Sequence, residues 1–253
     1  MIDLHSHVLP AVDDGPDTLE ESLSILRAAA EDGIVRIAAT PHVRDDFPTA
    51  PETMERGVEA LNHAARDAGI PVEVLPGGEL DIEYAGRLDD ATLARFGLGG
   101  NPSFLLLECP YYGWPLDLRE FAFDLAVRGF SVLFAHPERN PDVQADPELL
   151  RPLVEAGVLV QLTAASVDGR LGSTTQRVSR TLLDAELAHV IASDAHSPRI
   201  RAVGMAAAAA AVGDPALARW LTEEVPGAIV AGSELPERPK RGRRRLFGLS
   251  RKP

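Results

Sequence analysis

Cysteine is almost absent from this sequence: Cys109 stands alone among 253 residues. A single thiol excludes an intramolecular disulfide and a cysteine-built zinc site, so any metal on this chain must be held by nitrogen and oxygen. A cysteine phosphatase needs an arginine six residues after its nucleophile. That position is Pro115, and Cys109 reads instead as a small buried residue at a strand end. No run approaches the ~18 apolar residues of a membrane span, and no basic stretch leads into an apolar segment at the N-terminus, so a cytoplasmic location is expected. Basic residues are also scarce, except at the very end. From Glu237 onward there are eight Lys/Arg and one acid, against 17 basic and 37 acidic residues before it. The acidic body argues against nucleic acid as a partner. We therefore divide the chain into a catalytic domain, 1–236, and a basic tail, 237–253, expected to be disordered. The tail's Arg243-Arg244-Arg245-Leu246-Phe247 run would also suit peripheral contact with anionic lipid.

What is present is an alternation of strand-length apolar runs with helical patterns, the signature of βαβ units and a mainly parallel sheet. Seven runs stand out: 2–5, 35–39, 72–75, 104–108, 132–135, 158–162 and 189–192. Thr18-Leu19-Glu20-Glu21 and Ser173-Thr174-Thr175-Gln176 have the form of capping boxes. The six alanines 206–211 read as a close-packed helix. Seven such units suit an α/β barrel of the TIM type better than an open sheet, although a doubly wound fold has the same periodicity.

Six of the seven runs are followed within a few residues by a metal-ligating side chain: His5 and His7, His42, Glu79, Glu108, His136, then Asp194 and His196. In a parallel barrel these strand ends converge on one face. A lone histidine at a strand end is more often a hydrogen-bonded structural residue than a ligand. Here five of seven histidines fall at strand ends, and residues i and i+2 of an extended segment share a face, so His5/His7 and Asp194/His196 can each grip one ion. His63, mid-helix, and His189, at the opposite end of its strand, are not proposed as ligands. A mixed His/carboxylate set suits manganese, iron or zinc. Clustered divalent ions acidify a bound water to hydroxide near neutral pH.

These motifs carry a family resemblance. Asp3-x-His5-x-His7 and Ser193-Asp194-x-His196, with Val12-Asp13-Asp14-Gly15-Pro16 and His136-Pro137-Glu138-Arg139, resemble the PHP (polymerase and histidinol phosphatase) superfamily. The closer similarity is to the bacterial tyrosine-protein phosphatases of capsule and exopolysaccharide biosynthesis. The resemblance runs through about residue 235. It implies a distorted seven-stranded (β/α)7 barrel with three divalent ions, manganese foremost, with iron or zinc as alternatives. His5, His7 and Asp194 would hold the first ion and Glu79 would bridge it to a second held by Glu108 and His136. Asp14, His42 and His196 would hold the third. Arg139 and Arg201 would bind phosphate, for which a planar guanidinium is suited. Asp3 would support the ligands without being one. The substrate implied is a phosphotyrosyl protein, an autophosphorylated tyrosine kinase of polysaccharide export. Two acids in the linker 43–48 after His42 sit oddly beside an anionic substrate.

Three other readings stay open at the level of sequence. A small-molecule phosphatase of the histidinol-phosphate type would share almost every ligand. A nuclease would need a basic groove. A non-catalytic metal-binding adaptor would use the barrel as a scaffold.

Overall fold

The computed structural model describes residues 1–199 and 201–240. The tail beyond Lys240, with Leu246 and Phe247, lies outside the described residues. The described residues form ten strands: β1 (Ile2–Ser6), β2 (Arg36–Ala39), β3 (His42–Arg44), β4 (Phe47–Pro48), β5 (Glu73–Leu75), β6 (Glu79–Leu80), β7 (Phe104–Glu108), β8 (Ser131–Ala135), β9 (Leu159–Thr163) and β10 (Val190–Ala192). All seven expected runs contain a strand. The additions are the short β3, β4 and β6: polar side chains conceal β3 and β6, and β4 is only the two residues Phe47 and Pro48.

The strands form two sheets, β1-β2-β5 and β10-β9-β8-β7-β6-β3-β4. Every pairing is parallel except the β3–β4 hairpin. Two lines of chain serve both sheets. Thr40-Pro41 joins β2 to β3 and Pro76-Gly77-Gly78 joins β5 to β6, prolines breaking the ladder where a donor is missing. The register survives the break: Arg36 pairs with Glu73 and His42 with Glu79, the same offset. Gly78 is required here, since a Cβ would stand 2.7 Å from the Phe96 ring. At the far edges, His7 N donates to Ala195 O and Asp194 N to His5 O, both at 2.8 Å, tying β1 to the segment after β10.

The core strands are buried along their length. Phe104-Leu105-Leu106-Leu107 and Val132-Leu133-Phe134-Ala135 run between helices on one face and the packed interior on the other, which is why they read as unbroken apolar runs. The surrounding helices turn one stripe inward. In Pro51–Asp67 the buried residues are Met54, Val58, Leu61 and Ala65, at helical spacing. Thr18 caps Leu19–Glu31 as expected, accepting from Glu21 N, while the Glu21 carboxylate reaches Asp17 N and not the cap residue. The second expected capping box is corrected: Ser173 is the first helical residue and Gly172 stands at the cap with no side-chain bond. The alanine run forms the helix Met205–Val212, whose final carbonyls accept from Arg180. Among the described residues no helix is long and apolar enough to cross a membrane.

Arg238 docks on the body, donating to Ala188 O at 2.7 Å and Leu183 O at 3.2 Å, with its guanidinium over the Trp220 ring. Cys109 is buried as expected, and burial pushes its thiol far up.

Candidate metal centre

The site begins at the end of β1. His5 and His7 alternate with Ser6, so both rings leave the strand on the same side. Each ring is held by its Nδ1. His5 Nδ1 lies 3.0 Å from Gln161 Oε1 on β9, and His7 Nδ1 lies 2.6 Å from Asp13 Oδ2. An oxygen facing Nδ1 fixes the proton there and leaves the Nε2 lone pair free. Those two Nε2 atoms face each other at 3.4 Å. Both lie 3.4 Å from Asp194 Oδ1, and 3.3 Å from the two Glu79 oxygens, Oε1 for His5 and Oε2 for His7.

Glu79 joins this pair to the rest. Its Oε1 is 2.8 Å from His136 Nε2 and its Oε2 is 3.0 Å from His42 Nδ1. Glu108 Oε2 stands 3.6 Å from the same His42 nitrogen. On the other side Asp14 Oδ1 is 3.5 Å from His42 Nε2 and 3.2 Å from His196 Nε2. All nine residues expected as ligands thus come together, in four overlapping groups whose donor atoms lie within 4.8 Å of one another. These are His5/His7/Asp194, His5/Glu79/His136, His42/Glu79/Glu108 and His7/Asp14/His42/His196. The grouping differs from the expected one at three residues: Glu108 stands with His42 and Glu79 and not with His136, His5 stands also with Glu79 and His136, and His7 stands also with Asp14, His42 and His196.

The backbone is strained where it serves the site. His136 (φ 39°), Asp194 (φ 52°) and Arg201 (φ 55°) are all left-handed without being glycine. The Asp13-Asp14-Gly15-Pro16 loop lies flat on the chain because a Cβ at Gly15 would meet His7 O at 2.7 Å. Arg139 donates to Thr163 Oγ1 at 2.8 Å and to Asp194. Arg201 donates to Asp194 at 3.1 Å and to Asp14 at 3.4 Å. Both arginines therefore stand beside the cluster.

A profile of the family described as "Capsular polysaccharide synthesis, CpsB/CapC" matches residues 1–219. The chain belongs to the CpsB/CapC family. It is 35% identical over 202 residues to the tyrosine-protein phosphatase YwqE of Bacillus subtilis, covering 79% of each chain. It is 31% identical to the putative tyrosine-protein phosphatase CapC of Staphylococcus aureus, covering 78% of this chain and 77% of that one. In three dimensions it superposes with a TM-score of 0.85, at 32% identity, on a chain from crystal structures of YwqE and of CpsB from Streptococcus pneumoniae, described as unique metal-dependent tyrosine phosphatases. That superposition covers 95% of this chain and 100% of the other.

In this CpsB/CapC chain the charges of the cluster have a consistent cause. Burial would raise the Glu79 carboxyl, but His5, His136 and His42 outweigh it and hold it well below the usual range. Asp194 is likewise held low against burial by Arg139, His5 and His7. Glu108 is pushed up to about 7 by burial and by the neighbouring Glu79 charge. Asp3 is pushed up to about 6 by burial, although Ser193 N and His5 N both donate to its Oδ1. Three buried atoms that face the cluster, His42 Nδ1, Glu79 Oε2 and His196 Nε2, make no hydrogen bond with the described residues. Unpartnered imidazole and carboxylate atoms of this kind are what a divalent cation satisfies, and the set of imidazole and carboxylate ligands fits borderline or hard ions.

Several contributors escaped the sequence reading. Gln161 is one; its only signal is a lone amide in the apolar run of β9. Arg44 is another. The linker noted for its two acids forms the β3–β4 hairpin, and Arg44 turns inward, its Nη1 3.2 Å from Glu108 Oε1. Tyr111 stacks on His136 with ring centroids 6.0 Å apart. The exclusions agree with the geometry: His63 is exposed beside Asp67, and His189 accepts from Val160 N away from the cluster.

Proposed function

We propose that this chain is a metal-dependent protein-tyrosine phosphatase, acting on an autophosphorylated tyrosine kinase of capsule or exopolysaccharide biosynthesis in the cytoplasm. The observation that carries the reading is the convergence of nine imidazole and carboxylate donors, with unpartnered atoms among them, next to two arginines. The relatives' activity as tyrosine-protein phosphatases supports it. In the same reading the seven lines of strand form a distorted barrel, an arrangement supported by the bonds from His7 N to Ala195 O and from Asp194 N to His5 O.

Three divalent ions, manganese foremost, would be held by His5, His7, Asp14, His42, Glu79, Glu108, His136, Asp194 and His196. When bound, they would acidify water and neutralise phosphoryl oxygens. The chain's own groups do the rest. Gln161 and Asp13 hold the His5 and His7 rings so that Nε2 faces inward. Arg139 and Arg201 each carry five donors, enough to keep Asp194 and still bind phosphoryl oxygens bidentately. The phenolate of tyrosine leaves with a pKa near ~10, so the leaving group places less demand on a proton donor than an alkoxide does. The test is turnover of a phosphotyrosyl peptide against histidinol phosphate, with and without chelator. Preference for the peptide and its loss in chelator are expected. Full activity in chelator would sink the account, and preference for histidinol phosphate would convert it to the small-molecule reading.

A further inference from the structure

Two aromatic rings lie on the histidines of the cluster, and neither has a part in the reaction as described. Tyr111 stacks on His136, with ring planes 25° apart. Phe47 stacks on His42, with centroids 5.8 Å apart and planes 20° apart. The two histidines stand on opposite oxygens of Glu79, His136 at Oε1 and His42 at Oε2. The rings therefore flank the carboxylate at the centre of the donor set.

The two rings differ in how much is left to meet a ligand. Arg44 lies over Phe47, its guanidinium carbon 5.4 Å from the ring centroid. Tyr111 remains 42% exposed while one side rests on His136. Its loop is also anchored. The buried Asn140 donates to Pro110 O at 2.7 Å and to Gly113 O at 3.0 Å, on either side of Tyr111. Asn140 directly follows Arg139, so the segment that carries His136 and Arg139 also anchors the backbone on either side of Tyr111. An aromatic side chain held on both flanks and open to solvent is a preformed stacking surface, with little ordering cost on binding.

We propose that Tyr111 is a specificity-determining residue of this site, its exposed side taking the phenyl ring of a phosphotyrosyl side chain while Phe47 walls the other flank. The inference rests on the phosphatase reading and adds a reason for selecting aryl over non-aromatic phosphates. Metal ligands and arginines recognise any phosphomonoester alike, whereas a stacking surface recognises only the ring behind the phosphate.

The test uses the full chain loaded with manganese, as wild type, Tyr111→Leu and Tyr111→Phe. The ratio of kcat/KM for a phosphotyrosyl peptide to that for acetyl phosphate falls about five- to tenfold in Tyr111→Leu, mainly through KM, and is restored in Tyr111→Phe. Equal losses on both substrates would make Tyr111 a mere support for His136 and overturn the proposal, as would an unchanged ratio. Calorimetric binding of phenylphosphonate against methylphosphonate gives a readout free of turnover. Wild type prefers the phenyl compound and Tyr111→Leu loses the preference. If wild type hydrolyses neither phosphate, the phosphatase reading fails while the phosphonate comparison still decides the role of Tyr111. A preference that is absent in wild type, or unaltered in Tyr111→Leu, overturns it.

Discussion

The two ends of the strands treat the same residue type in opposite ways. At the N-terminal end of β10, His189 places Nδ1 as acceptor for Val160 N at 3.1 Å and its ring lies beside Trp220, which Arg238 covers. Trp220 Nε1 in turn donates to Pro236 O. Each polar group there has a use inside the protein. At the other end, five histidines and four carboxylates gather, with Nδ1 fixed at His5 and His7 and the two Nε2 atoms facing each other at 3.4 Å. A buried imidazole is structural where its lone pair meets an N–H. It is a candidate ligand where its lone pair meets another lone pair.

That contrast can be broken most directly by truncating one histidine at each end. His136→Ala, like chelation, should lower phosphotyrosyl-peptide turnover by more than about a hundredfold, since losing a ligand costs more than losing its support. His189→Asn should stay within about twofold of wild type. Equal losses in steady-state kinetics would erase the distinction. Arg139→Ala comes next: about a hundredfold off kcat/KM, with metal content by elemental analysis unchanged, because Arg139 borders the donor set without belonging to it. Metal loss in that variant would reassign the residue as a structural partner of Asp194. Asp13→Asn is milder. The 2.6 Å bond that orients His7 weakens, and metal affinity, read by competition with a chelating dye, should drop about ten- to a hundredfold. An unchanged affinity would leave Asp13 as part of a turn and no more.

How far this could be read from sequence depends on the distance over which each feature is determined. The seven main strands are legible because a strand covered on both faces is a continuous apolar run, as in Leu105-Leu106-Leu107. The meeting of eight of the nine donors is legible because parallel strands send all their C-terminal ends to one face; Asp14, in the loop after β1, is implied only by the family resemblance. Short β3 and β6 are not, since His42, Arg44 and Glu79 are the polar residues the site demands and composition there argues for loop. Gln161 is hidden for another reason: its partner His5 is 156 residues away, and no local pattern encodes that contact. Arg238 is concealed by its company, sitting in a basic stretch while its own guanidinium belongs to the body.

The smallest expected effect sharpens the comparison from the structural end. Burial, with Arg238 adding to it, pushes the His189 imidazole down to about 4. A histidine that is neutral when folded and ordinary when unfolded contributes stability that is fully present above about pH 6.5. That contribution is lost as pH falls toward 4, because the unfolded chain takes up the proton first. The size should be about 1 kcal/mol, reduced because the ring is partly exposed and water screens it. Asp3, pushed up to about 6, and Glu108, pushed up to about 7, lie in or beside the same interval, so the absolute slope is uninformative. The difference between wild type and His189→Asn isolates this one group. Denaturant midpoints at pH 7.5 and 4.5, measured in chelator, should converge by about that amount on acidification in the wild type relative to the variant. Parallel curves would mean that His189 takes up its proton as readily in the folded protein as in the unfolded chain, and that its hydrogen bond from Val160 N does not keep it neutral.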